Sequence, residues 1–297
     1  MIYSVTLNPS LDYIAFTDTI NLGKTNRTKN EYIVPGGKGI NISILLSRLG
    51  LATTALGFTG GFTGEKLKDL LKSENINCDF SQINADTRIN IKLSCGEITE
   101  FNGSGATLSE DNIESLKTKI KSLKKNDWLC LSGSVPSGVN ADIYKQLALC
   151  APNGVQVVVD TVGKPLLETL ETKPFLIKPN IDELCDIFEC EISIDNIETY
   201  AKKLQVMGAQ NVMVSCGKDG AFLLDNKGDA YFQTAPNGNA VNTVAAGDSM
   251  IAGFITKFNE TQNYLDSLKF AVACGSATAF SKWLADKETI DSIYEKL

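Results

Sequence analysis

Four short stretches of this chain hold residues whose types and spacing could do chemistry. The first is NTVAAGDSMIAGF, Asn242 to Phe254. A turn of small residues leads into an amphipathic helix with Ile251, Phe254, Ile255 and Phe258 on one face. Asp248 then falls in the first helical turn, where free backbone N–H groups gather. A carboxylate there could act as base toward an acceptor hydroxyl while the N–H groups hold a phosphoryl group in transfer. A plain helix cap is the competing reading, and the motif alone leaves both open.

The second stretch is GGKGIN, Gly36 to Asn41. It opens a helix whose Ile42, Leu45, Leu46 and Leu49 follow helical spacing, and Gly50 stops it. Glycines at a helix entrance let a ligand approach the backbone, although an ordinary glycine turn has the same composition. The third is KPNIDEL, Lys178 to Leu184, at the end of an apolar run. Lys178 suits a phosphate, and Asn180 and Glu183 are oxygen donors suited to a hydrated Mg²⁺. The fourth, SCGKDGA, Ser215 to Ala221, could pass close to a nucleotide, but by itself it reads better as a hairpin turn into Ala221 to Leu224. No Walker loop G-x-x-x-x-G-K-[ST] occurs, and GFTGGFTG, Gly57 to Gly64, lacks dinucleotide spacing.

Composition narrows this chemistry. There is no histidine, which removes Ser-His-Asp and Cys-His machinery and imidazole metal ligands. A base would be a carboxylate, and a metal would be held by oxygen, which favours Mg²⁺. The net charge of -7 comes from 28 basic and 35 acidic residues, with no block of one sign. That balance argues against nucleic acid or an anionic membrane as partner. No secretory signal is expected, since MIYSVTLNPS runs straight into a strand-like segment, and no apolar stretch reaches spanning length. The eight cysteines, Cys130, Cys150 and Cys274 among them, read as thiols in a reducing compartment, so a cytoplasmic location is expected. Cys185 and Cys190 read as chance spacing on a helix, not a zinc site.

The elements that must position these residues alternate. Strands are predicted at Ile2 to Leu7, Thr53 to Gly57, Trp128 to Leu131, Val155 to Asp160, Phe175 to Lys178 and Asn211 to Ser215. Helices are predicted near Lys38 to Leu49, Thr63 to Glu74, Ser109 to Ser122, Ala141 to Cys150 and Ile194 to Met207. This alternation implies an α/β fold with a mostly parallel sheet covered by helices. Two segments break it. Residues 10–35 lack helical period, and 87–102 alternate strictly, with Ile89, Ile91 and Leu93 opposite Arg88, Asn90 and Lys92. Both are expected to form a small separate sheet. Its polar face, with two cations and no anion, suits an anionic ligand, and its apolar face invites a partner subunit. An ordinary solvated hairpin is the alternative.

Together and in this order, TLNPSLD, GGKGIN, TRIN, LSGSVPSG, KPNIDEL, SCGKDGA and AAGDSMIAGF resemble the ribokinase-like (PfkB) carbohydrate kinases over nearly the whole chain. TLNP, TRIN and AGDSM are similar to the branch acting on 1-phosphofructose and tagatose 6-phosphate, and TRINIKL with Thr99, Glu100 and Asn102 leans to the former. The resemblance implies a three-layer α/β/α ribokinase-like core in a single kinase domain over 1–297, with a small β-sheet lid from about 10–35 and 87–102. It implies ATP as phosphoryl donor, Mg²⁺, a sugar phosphate acceptor and a homodimer joined through the lid.

It also implies roles. Asp248 would be the base, with Ala245, Ala246 and Gly247 completing an anion hole. Asp12, Gly37, Lys38 and Asn41 would grip the sugar, with Asn90 in the same lid face. Arg88, Arg27 and Lys92 would hold its phosphate. Lys178, Ser215, Gly217 and Gly220 would line the ATP site, with Ala273 and Gly275 near the adenine. Asn180 and Glu183 would organise Mg²⁺ through waters. Fructose 1-phosphate is the expected acceptor, with tagatose 6-phosphate and fructose 6-phosphate as competitors. One departure stands out: the family pattern G-A-G-D reads Ala245-Ala246-Gly247-Asp248 here. If that first position needs positive φ, its Cβ costs on the order of 1 kcal/mol. A sugar-phosphate sensor without catalysis draws its only support from Ala245, and a nicotinamide-dependent oxidoreductase lacks its fingerprint.

Overall fold

Successive residues of a central strand alternate between two hydrophobic layers. In β8 (Trp128–Ser132), Trp128 and Cys130 pack on one side and Leu129 and Leu131 on the other. A strand buried on both faces loses polar alternation, which is why these runs read as continuous apolar segments. The computed structural model describes residues 1–297, the side chain of Glu97 excepted.

The chain begins with β1 (Ile2–Thr6), β2 (Ser10–Phe16), β3 (Asn30–Gly36), α1 (Lys38–Arg48), β4 (Thr53–Thr59), α2 (Gly61–Ser73) and β5 (Asn77–Gln82). Next come β6 (Arg88–Cys95), β7 (Glu97–Asn102) and α3 (Glu110–Lys121), followed by β8. Then follow α4 (Ile143–Cys150), β9 (Gln156–Asp160), α5 (Lys164–Leu170), β10 (Leu176–Ile177), α6 (Ile181–Phe188), α7 (Ile197–Met207) and β11 (Asn211–Ser215). The chain ends with β12 (Ala221–Leu224), β13 (Ala230–Gln233), α8 (Ala246–Thr261), α9 (Tyr264–Ala279) and α10 (Lys287–Tyr294).

Nine strands form the main sheet in the order β13-β12-β11-β10-β9-β8-β1-β4-β5. Pairings from β5 to β11 are parallel, and β12 and β13 extend the sheet antiparallel, with β13 at the edge. Helices α1, α8, α9 and α10 bury their apolar faces on one side, and α3 to α7 cover the other. The expected three-layer arrangement is therefore present. No helix among the described residues is long and apolar enough to cross a membrane.

The second sheet has the order β3-β2-β6-β7. It combines the two non-helical segments, 10–35 and 87–102, as the alternation predicted. The chain turns between β6 and β7 at Gly96, whose φ of 79° few other residues adopt. Ile33, Ile89, Ile91 and Phe101 lie exposed on this sheet.

Several boundaries differ. The run Phe175 to Lys178 yields only the two-residue β10, with Lys178 just past it, and Val155 lies outside β9. The periodic reading passed over α9 because both flanks of that helix are buried, leaving no polar stripe to mark it.

Candidate active site

The carboxyl ends of β1, β8 and β9 align in register, placing Thr6, Ser132 and Asp160 side by side. Ligands of open α/β sheets bind beyond such ends. Here a cleft of about 1350 Å³ opens between the main sheet, the glycine-opened helices α1 and α8, and the small sheet. A single small-molecule pocket typically has roughly 300–1,000 Å³, so this volume suits two ligands side by side.

Ala245 caps α8 with φ 65° and ψ 4°, so the position that departs from the family pattern does need the left-handed region. An L-residue there costs on the order of 1 kcal/mol. No side chain caps the helix. The Ala246 N–H bonds Thr243 O at 3.3 Å, so it is already engaged, which leaves the N–H groups of Gly247 and Asp248 as the free donors of the first turn. Asp248 is 5% exposed, and its Oδ2 accepts a hydrogen bond from Asn41 Nδ2 at 2.8 Å. Burial first, and the nearby Asp160 charge second, push the Asp248 carboxyl up to about 6. Lys38, the Asn41 hydrogen bond and Lys178 oppose that rise. An N-cap side chain would instead bond its own helix's N–H groups, so the simple capping reading of Asp248 does not hold.

Asp160 was not singled out from the sequence, because it looked like the mere end of an apolar strand. It is fully buried, and its Oδ1 lies 3.3 Å from Lys38 Nζ and 3.5 Å from Lys178 Nζ. Its Oδ2 has no protein partner. Burial alone would raise the Asp160 carboxyl, but Lys178 and Lys38 outweigh it and hold it below its ordinary value. Lys38 is held above its ordinary value, chiefly by Asp160. Lys178 Nζ also lies only 2.8 Å from where a side chain on Gly247 would begin, so the ammonium sits against the first turn of α8.

On the small sheet, Asp12 organises the polar face. Its Oδ1 accepts from Ser10 Oγ at 2.7 Å and from Asn90 Nδ2 at 2.9 Å. Its Oδ2 pairs with Lys92 Nζ at 3.2 Å. Glu100 also reaches Lys92, at 3.6 Å. The expectation of a face with two cations and no anion is thus corrected: neighbouring strands supply Asp12 and Glu100, which reading β6 alone could not reveal. Arg88 lines the cleft but spends three N–H groups on main-chain oxygens, two on Asn8 O and one on Gly103 O. Two N–H groups remain for a ligand. Arg27 lies exposed in the connection between β2 and β3, outside the cleft.

At the other end, Ser215, Gly217 and Gly220 line the cleft where β11 turns into β12. Gly217 has φ 57° and Gly220 φ 118°, values that explain the glycines. Gly275 lines the cleft from α9, whereas Ala273 is buried in the core beside it. Asn180 and Glu183 form a capping box at α6, with Asn180 Oδ1 accepting from Glu183 N at 2.7 Å and Glu183 Oε2 from Asn180 N at 3.0 Å. One Glu183 carboxylate oxygen stays free. Among the described residues, no cluster of three His, Cys, Asp or Glu could enclose a metal. This donor set fits a Mg²⁺ that keeps most of its waters and arrives with phosphate, not one caged by protein.

The cleft therefore gathers Asp12, Gly37, Lys38, Asn41, Arg88, Asn90, Lys92, Lys178, Asn180, Glu183, Ser215, Gly217, Gly220, Gly275 and the Ala245 to Asp248 turn. The profile of the pfkB family carbohydrate kinases matches residues 5–288. A 1-phosphofructokinase of Bacillus subtilis (strain 168) is 43% identical over 295 residues, covering 99% of this chain and 97% of the relative. A D-tagatose-1-phosphate kinase of Bacillus licheniformis is 40% identical over 294 residues, covering 98% and 96%. The solved structure of Escherichia coli phosphofructokinase-2 with fructose-6-phosphate superposes with a TM-score of 0.92 at 31% identity, covering 100% of this chain and 98% of that one.

Proposed function

The chain belongs to the pfkB family of carbohydrate kinases, and we propose that it phosphorylates fructose 1-phosphate with ATP, giving fructose 1,6-bisphosphate and ADP. The observation that carries this reading is the buried Asp248, tuned to about 6, at a helix start where two lysines converge.

In this reading Asp248 takes the proton of the sugar's free hydroxyl as that oxygen forms its bond to the terminal phosphorus. The bond from that phosphorus to the bridging oxygen of ADP breaks on the opposite side. The Gly247 and Asp248 N–H groups and the Lys178 ammonium receive the phosphoryl oxygens, stabilising charge that the chemistry develops. Asp12, Asn41 and Gly37 orient the sugar, and Lys92 with the two spare Arg88 donors holds its existing phosphate. Ser215, Gly217, Gly220 and Gly275 line the nucleotide end. Bound Mg²⁺ would neutralise nucleotide phosphate charge, with Asn180 and Glu183 holding it through waters.

The chain is read as one kinase domain with its lid at about 10–35 and 87–102. The exposed Ile33, Ile89, Ile91 and Phe101 support pairing of two lids in a homodimer. Arg27, exposed at the lid tip, holds substrate phosphate only if closure or a partner brings it near. The eight free thiols support a cytoplasmic location. Two relatives whose names specify a ketohexose 1-phosphate favour this acceptor over tagatose 6-phosphate or fructose 6-phosphate.

The deciding experiment is ADP release with MgATP and fructose 1-phosphate, tagatose 1-phosphate, tagatose 6-phosphate or fructose 6-phosphate at equal concentration. Preference for fructose 1-phosphate supports the proposal. Preference for another acceptor keeps the mechanism and changes the substrate. No turnover with intact ATP binding would favour a sensor.

A further inference from the structure

Asp160 is a carboxylate taken wholly out of water and left with one oxygen unpartnered. A buried charge of this kind persists only where something compensates it. The compensation is two ammonium groups on one oxygen, Lys38 from α1 and Lys178 from the end of β10. The three groups together carry one net positive charge, so the cluster still attracts anions from the cleft. β9 lies between β8 and β10 in the sheet, and from its end Asp160 reaches Lys38 of α1 and Lys178 just past β10 with one oxygen.

Lysine has a long flexible stem and moves freely unless tethered. Without Asp160, the carboxylate open to both ammoniums is Asp248. An ion pair there would occupy the oxygen that must accept the sugar's proton. We infer that Asp160 is a positioning residue for phosphoryl transfer: it holds Lys38 and Lys178 on the cleft wall beside Asp248, where they meet the travelling phosphoryl group and leave the base free. This rests on the kinase reading above. The tethering geometry is consistent with the charges that act on Asp248. Asp160 raises its affinity for a proton and the two lysines lower it, while Glu183 acts on Lys38. From the small sheet, Asp12, Arg88, Lys92 and Glu100 line the same cleft.

The test is Asp160→Asn, which keeps volume and removes charge. Rates are measured from pH 5 to 9 with saturating MgATP and fructose 1-phosphate, beside the wild type, with thermal unfolding as a check on folding. The expected result is a fall in kcat of at least about tenfold, with KM for the sugar phosphate changed much less. The acidic limb of the rate profile should also move to lower pH, because a like charge has left Asp248 and two lysines have been released toward it. A purely structural role would lower stability without moving that limb. Unchanged kcat and an unmoved limb in a folded variant overturn this inference alone, whereas a wild type without turnover on any ketohexose phosphate overturns the kinase reading with it. Should Asp160→Asn not fold, Lys38→Gln reads the same cluster from the other side. Its acidic limb should move to higher pH, and an unmoved limb there sinks the inference.

Discussion

Asn41 on α1 donates a hydrogen bond to the Asp248 carboxylate on α8 at 2.8 Å, so the two glycine-opened helices meet at the proposed base itself. Asp248→Asn should lower kcat by about two orders of magnitude or more while ATP binding, read by calorimetry, stays close to wild type. Near-normal turnover in that variant would remove Asp248 from the role.

The same substitution should stabilise the protein. An acid raised from 3.8 to about 6 binds its proton more tightly when folded. Folding is therefore favoured most below the unfolded value, and that stability is lost as pH rises through the folded one. At pH 8 the charged, buried Asp248 is a burden, and Asp248→Asn should raise stability by on the order of 1 kcal/mol. A lower Tm at pH 8 would contradict the elevated pKa.

Activity should follow the same group. A base works only when deprotonated, so kcat/KM for the sugar phosphate should fall as pH drops below about 6. With an ordinary aspartate the limb would lie near 4, and a profile flat to pH 5 would argue for that.

Ala245 occupies a left-handed N-cap with φ 65°. Ala245→Gly relieves on the order of 1 kcal/mol of strain, offset in part by extra freedom of the unfolded chain. Turnover should be retained or raised, with Tm nearly constant. A marked loss of turnover would mean that the alanine methyl itself assists the site.

Lys92 and Arg88 should separate in their effects. Lys92→Met should raise KM for the sugar phosphate about tenfold and spare KM for ATP, since its partners Asp12 and Glu100 are all on the small sheet. Arg88→Met should also cost about 1–3 kcal/mol of stability, because Asn8 O and Gly103 O lose their donors. Equal unfolding temperatures for both variants would count against the clamp at Arg88.

The glycine-opened helices, the strand alternation and the small sheet were legible because each depends on local period or on residues adjacent in sequence. Asp248 and Asn41 could be named from their motifs, but not their contact, which joins positions far apart in the chain. Asp160 gave no local signal: an aspartate ending a valine run becomes informative only when Lys38 and Lys178 arrive from other elements. Glu100 was hidden likewise, because the sign of a sheet face is set by all its strands, and one strand was read alone. Arg27 shows the reverse limit, since its sequence position says nothing of how far the exposed connection holds it from the cleft.

One residue, Gly37 with φ 120°, separates the last residue of β3 from the first residue of α1. The sheet proposed to grip the sugar and the helix that carries Lys38 and Asn41 thus share a joint without slack. In the proposed reading, substitutions that reshape the grip also shift Asn41, which bonds the Asp248 carboxylate. Choice of substrate and speed of turnover would then be geared together, and a lineage changing its preferred sugar would have to retune its rate in the same steps.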